Sequence, residues 1–341
     1  MSRNTYQQVA SAPPAYTVAQ TNGLQPFGSL PVAQAVQITG VQPVAQAVIP
    51  VVHAVPLYDE NCYVESWTEE QRRKFEKTAQ ELEWSPQTIE VAAQALWNTT
   101  VVIIVDDSGS MSTQSRESNC PQSQWAIKTR RNTTRWCELV HFIKNIMKMS
   151  WLMDSVHIQP LNGNLIENVN KPGIGKELLD ALFLKGPTYM TPLIGKMNTV
   201  FNAYSPENTG RDLITIIATD GAPSDFQDHG YSDPTHAVKK TLLNRPCFER
   251  SFVTFLTCTD EDLEYLQKLD KKLRNVDESD DYASELKQVK KTKRCLHFSY
   301  GDYALKVLIG SKVRSLDVMD EKVKRPKLTP WQRCCLCLLR K

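Results

Sequence analysis

The turn Asp106-Asp107-Ser108-Gly109-Ser110-Met111 sets a carboxylate and two hydroxyls at alternate positions, so that three oxygens can face one point. Much further along, Thr219-Asp220-Gly221 brings another carboxylate, and between the two turns Thr188 and Thr191 offer hydroxyls just ahead of a helix-like stretch. Oxygen donors of this kind suit a hard cation such as Mg²⁺ or Mn²⁺, which takes near-octahedral geometry, keeps some of its water and so needs few protein ligands. With Ser108, Ser110 and Thr191 binding directly, and Asp106 and Asp220 acting partly through water, the ion would keep much of its charge and attract a carboxylate from outside. The alternative is a polar turn that caps the next helix. Asp107, between the ligands, is expected to point outward into solvent.

These groups need rigid elements behind them. Val101-Val-Ile-Ile-Val105 runs straight into Asp106, and a continuous β-branched run of this length suits a strand buried on both faces of a parallel sheet. Ser155 to Leu161, Leu213 to Ala218 and Phe252 to Thr257 read as further strands. Between and after them, Trp136 to Met149, Lys176 to Phe183, Thr191 to Tyr204, Thr235 to Leu243 and Tyr282 to Lys291 read as helices. Strand and helix in alternation predict an α/β fold, a Rossmann-like, doubly wound, mostly parallel sheet flanked by helices. In such folds ligands collect outside the carboxyl ends of the strands, which is where Asp106 and Asp220 fall.

The rest of the chain divides around that domain, which spans 98–315. Residues 1–60 form a Pro/Gln/Ala/Val-rich leader in which Pro31–Val36 repeats as Pro43–Val48; with Arg3 its only charge up to residue 58, it is expected to be disordered. Residues 65–97 predict two short helices packing on the domain, the first capped by Thr68 with Gln71 three residues on, the second opened by Ser85 and Pro86. Residues 316–341 form a basic tail containing Cys334, Cys335 and Cys337.

The pattern resembles the von Willebrand factor A family with its metal-ion-dependent adhesion site, and in particular the family's intracellular members. Asp106, Ser108 and Ser110 match the family's Asp-x-Ser-x-Ser, and Asp220 matches its distal aspartate. Thr191, in Thr-Pro-Leu at a helix entry, is the better match to the family threonine, with Thr188 the alternative because it keeps the spacing from Gly186. The resemblance covers roughly residues 97 to 315. It implies an Mg²⁺ or Mn²⁺ site that binds a protein partner through an acidic side chain, without catalysis. Where many members turn at once into the first helix, this chain has a long connection from Met111 to Arg135 carrying Lys128, Arg130 and Arg131, either a selector of acidic partners or a solvated insertion.

Two other classes compete. An aspartate after a buried strand can accept a phosphoryl group beside Mg²⁺, which would make the chain a hydrolase or phosphotransferase. No basic residue lies in the immediate turns, however, no glycine-rich phosphate cradle follows a strand, and His229 and His236 lack an evident nucleophile. A scaffold with a vestigial metal site, acting through leader and tail, is the other alternative. A net charge of +2 argues against a nucleic-acid partner. Without a secretory signal or a long apolar run, and with nine cysteines, an odd number, the expected location is cytoplasmic and a disulfide framework is not expected. The tail reads equally as a frayed terminus or as a peripheral membrane attachment through lipidation of Cys334, Cys335 and Cys337. The basic run Lys287, Lys290, Lys291, Lys293 and Arg294 reads as a solvated helix face.

Overall fold

The computed structural model describes residues 67–114, 134–185, 190–258, 264–292 and 297–319. Five strands, β1 (Thr99–Val105), β2 (Ser155–Pro160), β3 (Asp212–Thr219), β4 (Ser251–Thr257) and β5 (Val276–Ser279), pair in the order β2-β1-β3-β4-β5. Every pairing is parallel, and the isolated bridge between Ile158 and Ile166 is antiparallel. The helices are α1 (Glu69–Glu81), α2 (Pro86–Leu96), α3 (Arg135–Met149), α4 (Ile174–Lys185), α5 (Leu193–Ala203), α6 (Pro206–Thr209), α7 (Pro234–Leu243), α8 (Glu264–Asp270), α9 (Tyr282–Thr292), α10 (Tyr300–Ile309) and α11 (Arg314–Asp317). This is the Rossmann-like, doubly wound α/β fold.

Alternation along the buried strands divides the core in two. Val101, Ile103 and Val105 pack with α3 and α10 on one face, while Val102 and Ile104 pack with α5 and α7 on the other. All of β1 is buried, and a strand covered on both faces can be apolar throughout.

The N-terminal helix pair joins the first of these cores. Thr68 and Gln71 close the capping box of α1, so two otherwise orphaned backbone donors are satisfied reciprocally. The connection between α1 and α2 then seats on the start of α10: Trp84 Nε1 donates to the Gly301 carbonyl at 3.2 Å, Ser85 N donates to Asp302 Oδ1 at 2.7 Å, and Ser299 Oγ donates to the Leu82 carbonyl at 3.1 Å. Gly301 is required here, because a Cβ would overlap the Leu82 carbonyl.

Four elements carry no clear signal in the sequence. The edge strand β5 reads Val-Asp-Glu-Ser, too short and polar to announce itself. Helix α10 is buried from Gly301 to Ile309, so it lacks the polar stripe that marks an amphipathic helix. Helices α8 and α11 are short. Lys287, Lys290 and Lys291 are exposed on α9, as a solvated face requires; Lys293 and Arg294 lie outside the described residues. So do residues 1–60 and 320–341, which include Cys334, Cys335 and Cys337, whereas the start of the expected tail, 316–319, packs on the domain through Leu316 and Met319. Among the described residues no helix is long and apolar enough to cross a membrane.

Candidate functional site

The chain leaves β1 toward β2 on one side and β3 lies on the other, so the point where strand order reverses is the gap between β1 and β3. Asp106 directly follows β1 and Asp220 directly follows β3, which puts both carboxylates at the mouth of that crevice. The register pairs Val105 with Ala218, and Asp106 N continues the ladder by donating to the Ala218 carbonyl at 2.9 Å.

Four of the residues singled out by type and spacing form one hydrogen-bonded chain. Ser108 N donates to Asp106 Oδ1 at 2.9 Å, the hydroxyls of Ser108 and Ser110 lie 3.0 Å apart, and Ser110 Oγ donates to Asp220 Oδ1 at 2.8 Å. The 3-10 turn Gly109–Ser112 bends the backbone tightly enough for the two serines to share a side. Thr219 holds the remaining oxygen of Asp106, its hydroxyl donating to Oδ2 at 2.7 Å.

Asp106 is fully buried. Burial raises its carboxyl above the ordinary carboxylate value, the charge of Asp220 adds to that, and the hydrogen bonds from Ser108 and Thr219 oppose it. Two acidic groups thus sit close together in a place where a nearby positive charge is favourable.

Thr191 reaches the same end of the sheet through its backbone. Its N–H donates to Ser224 Oγ at 3.2 Å and its carbonyl accepts from Ser224 N at 2.9 Å, tying the entry of α5 to the loop that follows Asp220. Asp225, five residues after Asp220, caps that helix from a distance, accepting from Ile194 N at 3.0 Å and Gly195 N at 2.8 Å. Thr188 lies outside the described residues. The structure therefore joins Asp106, Ser108, Ser110 and Asp220 through side chains and brings up Thr191 by its main chain.

One expectation about the site is corrected. Asp107 does not point into solvent: it is buried, and its Oδ1 accepts from both Asn162 N and Asn162 Nδ2 at 2.9 Å. Asn162 also donates to the Met190 carbonyl at 2.7 Å, so Asp107 braces the site by joining the β2 exit to the segment before Thr191. The turns themselves carry no basic residue, but one reaches the site from further along the chain. Arg135, the first residue of α3, places Nη1 3.0 Å from Asp220 Oδ2, with the two side chains 16% and 3% exposed. It escaped notice because it comes at the far end of the long connection after Met111, most of which lies outside the described residues. Thr219 was legible in Thr-Asp-Gly but went unassigned.

His229 and His236 are both exposed, as expected; His236 N donates to Asp233 at the start of α7, and His229 Nε2 lies 3.4 Å from Asp225. Cys258, which follows β4 beside Thr219, is half-buried, and desolvation pushes its thiol pKa well above the usual value, with the charges of Asp106 and Asp220 adding to the effect. It is unsuited to be a nucleophile. The adjacent pocket, lined among others by Glu138, Phe142, Cys258 and Tyr300, holds about 30 Å³, on the scale of bound water. No known protein family and no curated protein matches this chain.

Proposed function

We propose that this domain binds a protein partner through a divalent cation held at the β1/β3 crevice, as its resemblance to the von Willebrand factor A family implies. The observation that carries this reading is the convergence of the donor oxygens. Neighbouring ligands of an octahedral Mg²⁺, bonded at about 2.1 Å, stand about 3 Å apart. Ser108 Oγ to Ser110 Oγ is 3.0 Å, and Ser110 Oγ to Asp220 Oδ1 is 2.8 Å. Hydrogen bonds between these groups have the same lengths, so what supports the reading is that donors from two strand ends converge and are all oxygen, as Mg²⁺ and Mn²⁺ prefer.

In this reading Ser108, Ser110 and Thr191 hold the ion directly, Asp220 and Asp106 balance its charge, and Thr219 and Arg135 keep those carboxylates oriented. The bound ion supplies a Lewis-acidic position that accepts a carboxylate from the partner. Because the serines contribute neutral oxygens, the site retains net positive character toward an incoming acid.

Manganese binding followed by electron paramagnetic resonance tests the first half of the reading. The intact chain should bind one Mn²⁺ at this site, and Ser110→Ala should weaken that binding by about tenfold or more. Capture of a partner should then require Mg²⁺ and be lost with chelator, with Ser110→Ala and with Asp106→Ala. Binding indifferent to all three would favour a scaffold whose contacts lie elsewhere, and turnover of a phosphate ester abolished by Asp106→Ala would favour the enzymatic alternative.

A further inference from the structure

A second acidic group lies three strands away from the crevice, on the edge of the sheet. Asp270 ends α8, Asp277 is the second residue of β5 and Asp317 ends α11, and each offers a carboxylate oxygen within 4.8 Å of the other two. The register pairs Asp277 with Thr254, placing it on the side of the sheet that α10 covers. At about 4.8 Å per strand, the three steps from β1 to β5 separate it from Asp106 by roughly 14 Å across the sheet alone. The two acidic groups therefore cannot share an ion.

Asp277 distinguishes this cluster from an ordinary acidic surface. Its side chain is buried to 3% exposure, and Oδ2 has no hydrogen-bond partner. A buried carboxylate oxygen without a donor is costly, and native structures seldom leave one so. Its surroundings make matters worse. Oδ2 lies against Gly310, where a Cβ would collide with it, and Gly310 caps the C-terminal end of α10, the negative end of the helix dipole. Lys306 is the cation in the neighbourhood, but its ammonium is engaged by Glu285 Oε2 at 3.2 Å and Ser279 Oγ at 3.3 Å. Burial first, and then the charges of Asp317, Asp270 and Glu285, push the Asp277 carboxyl well above its ordinary value against the opposing effect of Lys306.

We infer that Asp270, Asp277 and Asp317 form a calcium site that fastens α8 and α11 to the edge strand β5. The buried Asp277 carboxylate, which converges with two further carboxylates, leaves Oδ2 without a donor, and the charge of Lys306 opposes but does not overcome the cost of its burial; a cation supplies what is missing. The number of carboxylates selects the ion. Ca²⁺ takes several carboxylate oxygens in flexible geometry, whereas Mg²⁺ demands near-ideal octahedral geometry and is usually held by one or two carboxylates with water. Three carboxylates within reach of one another fit the larger, geometrically tolerant ion. Asp270 and Asp317 are half-buried, so the ion is reached from the surface and can complete its shell with water.

The site is independent of the one at the crevice, and the test keeps them apart. In the full-length Ser110→Ala chain, which disables the crevice, calorimetric titration with CaCl₂ should show one saturable site, and about 5 mM Ca²⁺ should raise the melting temperature by several degrees. Adding Asp317→Asn, a change on a short, half-buried helix that the fold tolerates, should weaken Ca²⁺ binding by about tenfold or more and remove the thermal shift. Asp277→Asn should abolish binding while raising stability in calcium-free buffer, since it removes the buried charge. The inference is overturned if Ser110→Ala binds no Ca²⁺, or if Asp317→Asn binds it as tightly as its parent. It is equally overturned if acidification alone stabilises the chain and Ca²⁺ adds nothing, for then a shared proton fills the need.

Discussion

At the carboxyl ends of β1 and β3 the acidic side chains arrive with their donors, whereas on the edge strand Asp277 arrives without one for Oδ2. Asp106 accepts from Ser108 N and Thr219 Oγ1, and Asp220 accepts from Ser110 and pairs with Arg135. The crevice is thus held in shape by the protein itself. The edge cluster has three carboxylates converging, with Lys306 committed to Glu285. The difference teaches that an acidic side chain can be preorganised by hydroxyls and backbone donors of its own fold, or be left with an oxygen that its fold does not satisfy.

The strongest way to break this comparison is to remove the cation the edge region already has. Lys306 and Glu285 are only 1% and 2% exposed, so Lys306→Met strands a buried carboxylate and should cost about 3–5 kcal/mol in urea unfolding. A loss below about 1 kcal/mol would mean that the edge region tolerates uncompensated charge, and the contrast with the crevice would collapse. A smaller effect is expected at the crevice. Thr219→Val keeps the shape of the side chain but removes the donor to Asp106 Oδ2, and should cost about 1–3 kcal/mol while weakening Mn²⁺ binding. Unchanged stability and unchanged Mn²⁺ affinity would show that Asp106 does not depend on that hydroxyl.

A further effect is one of pH. Burial, followed by the charges of Asp280, Glu285 and Asp270, raises the Glu278 carboxyl from 4.5 to about 8. The folded chain therefore keeps this proton through a range in which the unfolded chain has released it. Stability tied to Glu278 is fully present below pH 4.5 and is lost as pH rises toward about 8. Melting curves across that window should fall more steeply for the parent than for Glu278→Gln; parallel curves would remove Glu278 from the account.

Much of the fold was legible in the sequence because its central strands announce themselves. β1, β3 and β4 are β-branched or apolar runs buried on both faces, Thr68 marks the start of its helix through a capping box, and Pro86 marks the start of the next by its place in the first turn, although the Ser85 side chain meets Thr88 and makes no capping bond. The candidate site was legible to the same extent and for the same reason. Asp106, Ser108 and Ser110 share one turn, and Asp220 follows its strand at once. Arg135, Asn162 and Ser224 were not, since each enters from a different loop and nothing in its own neighbourhood says which carboxylate or carbonyl it will meet. Asp107 was misread because a polar residue in a turn is ordinarily solvated, and only the return of the chain after β2 buries it under Asn162.

What the sequence by itself determined is therefore the set of strands, the helix boundaries set by local caps, and a row of hard oxygen donors at two strand ends. Those follow from side-chain period and short-range hydrogen bonding, both of which are written in consecutive residues. The tertiary structure alone decided that β1 and β3 are neighbours, that Arg135 neutralises Asp220, and that Asp270, Asp277 and Asp317 converge from two helices and an edge strand. Electrostatic energy depends on distance in space, and the chain order of these charges carries no record of it until the sheet has closed.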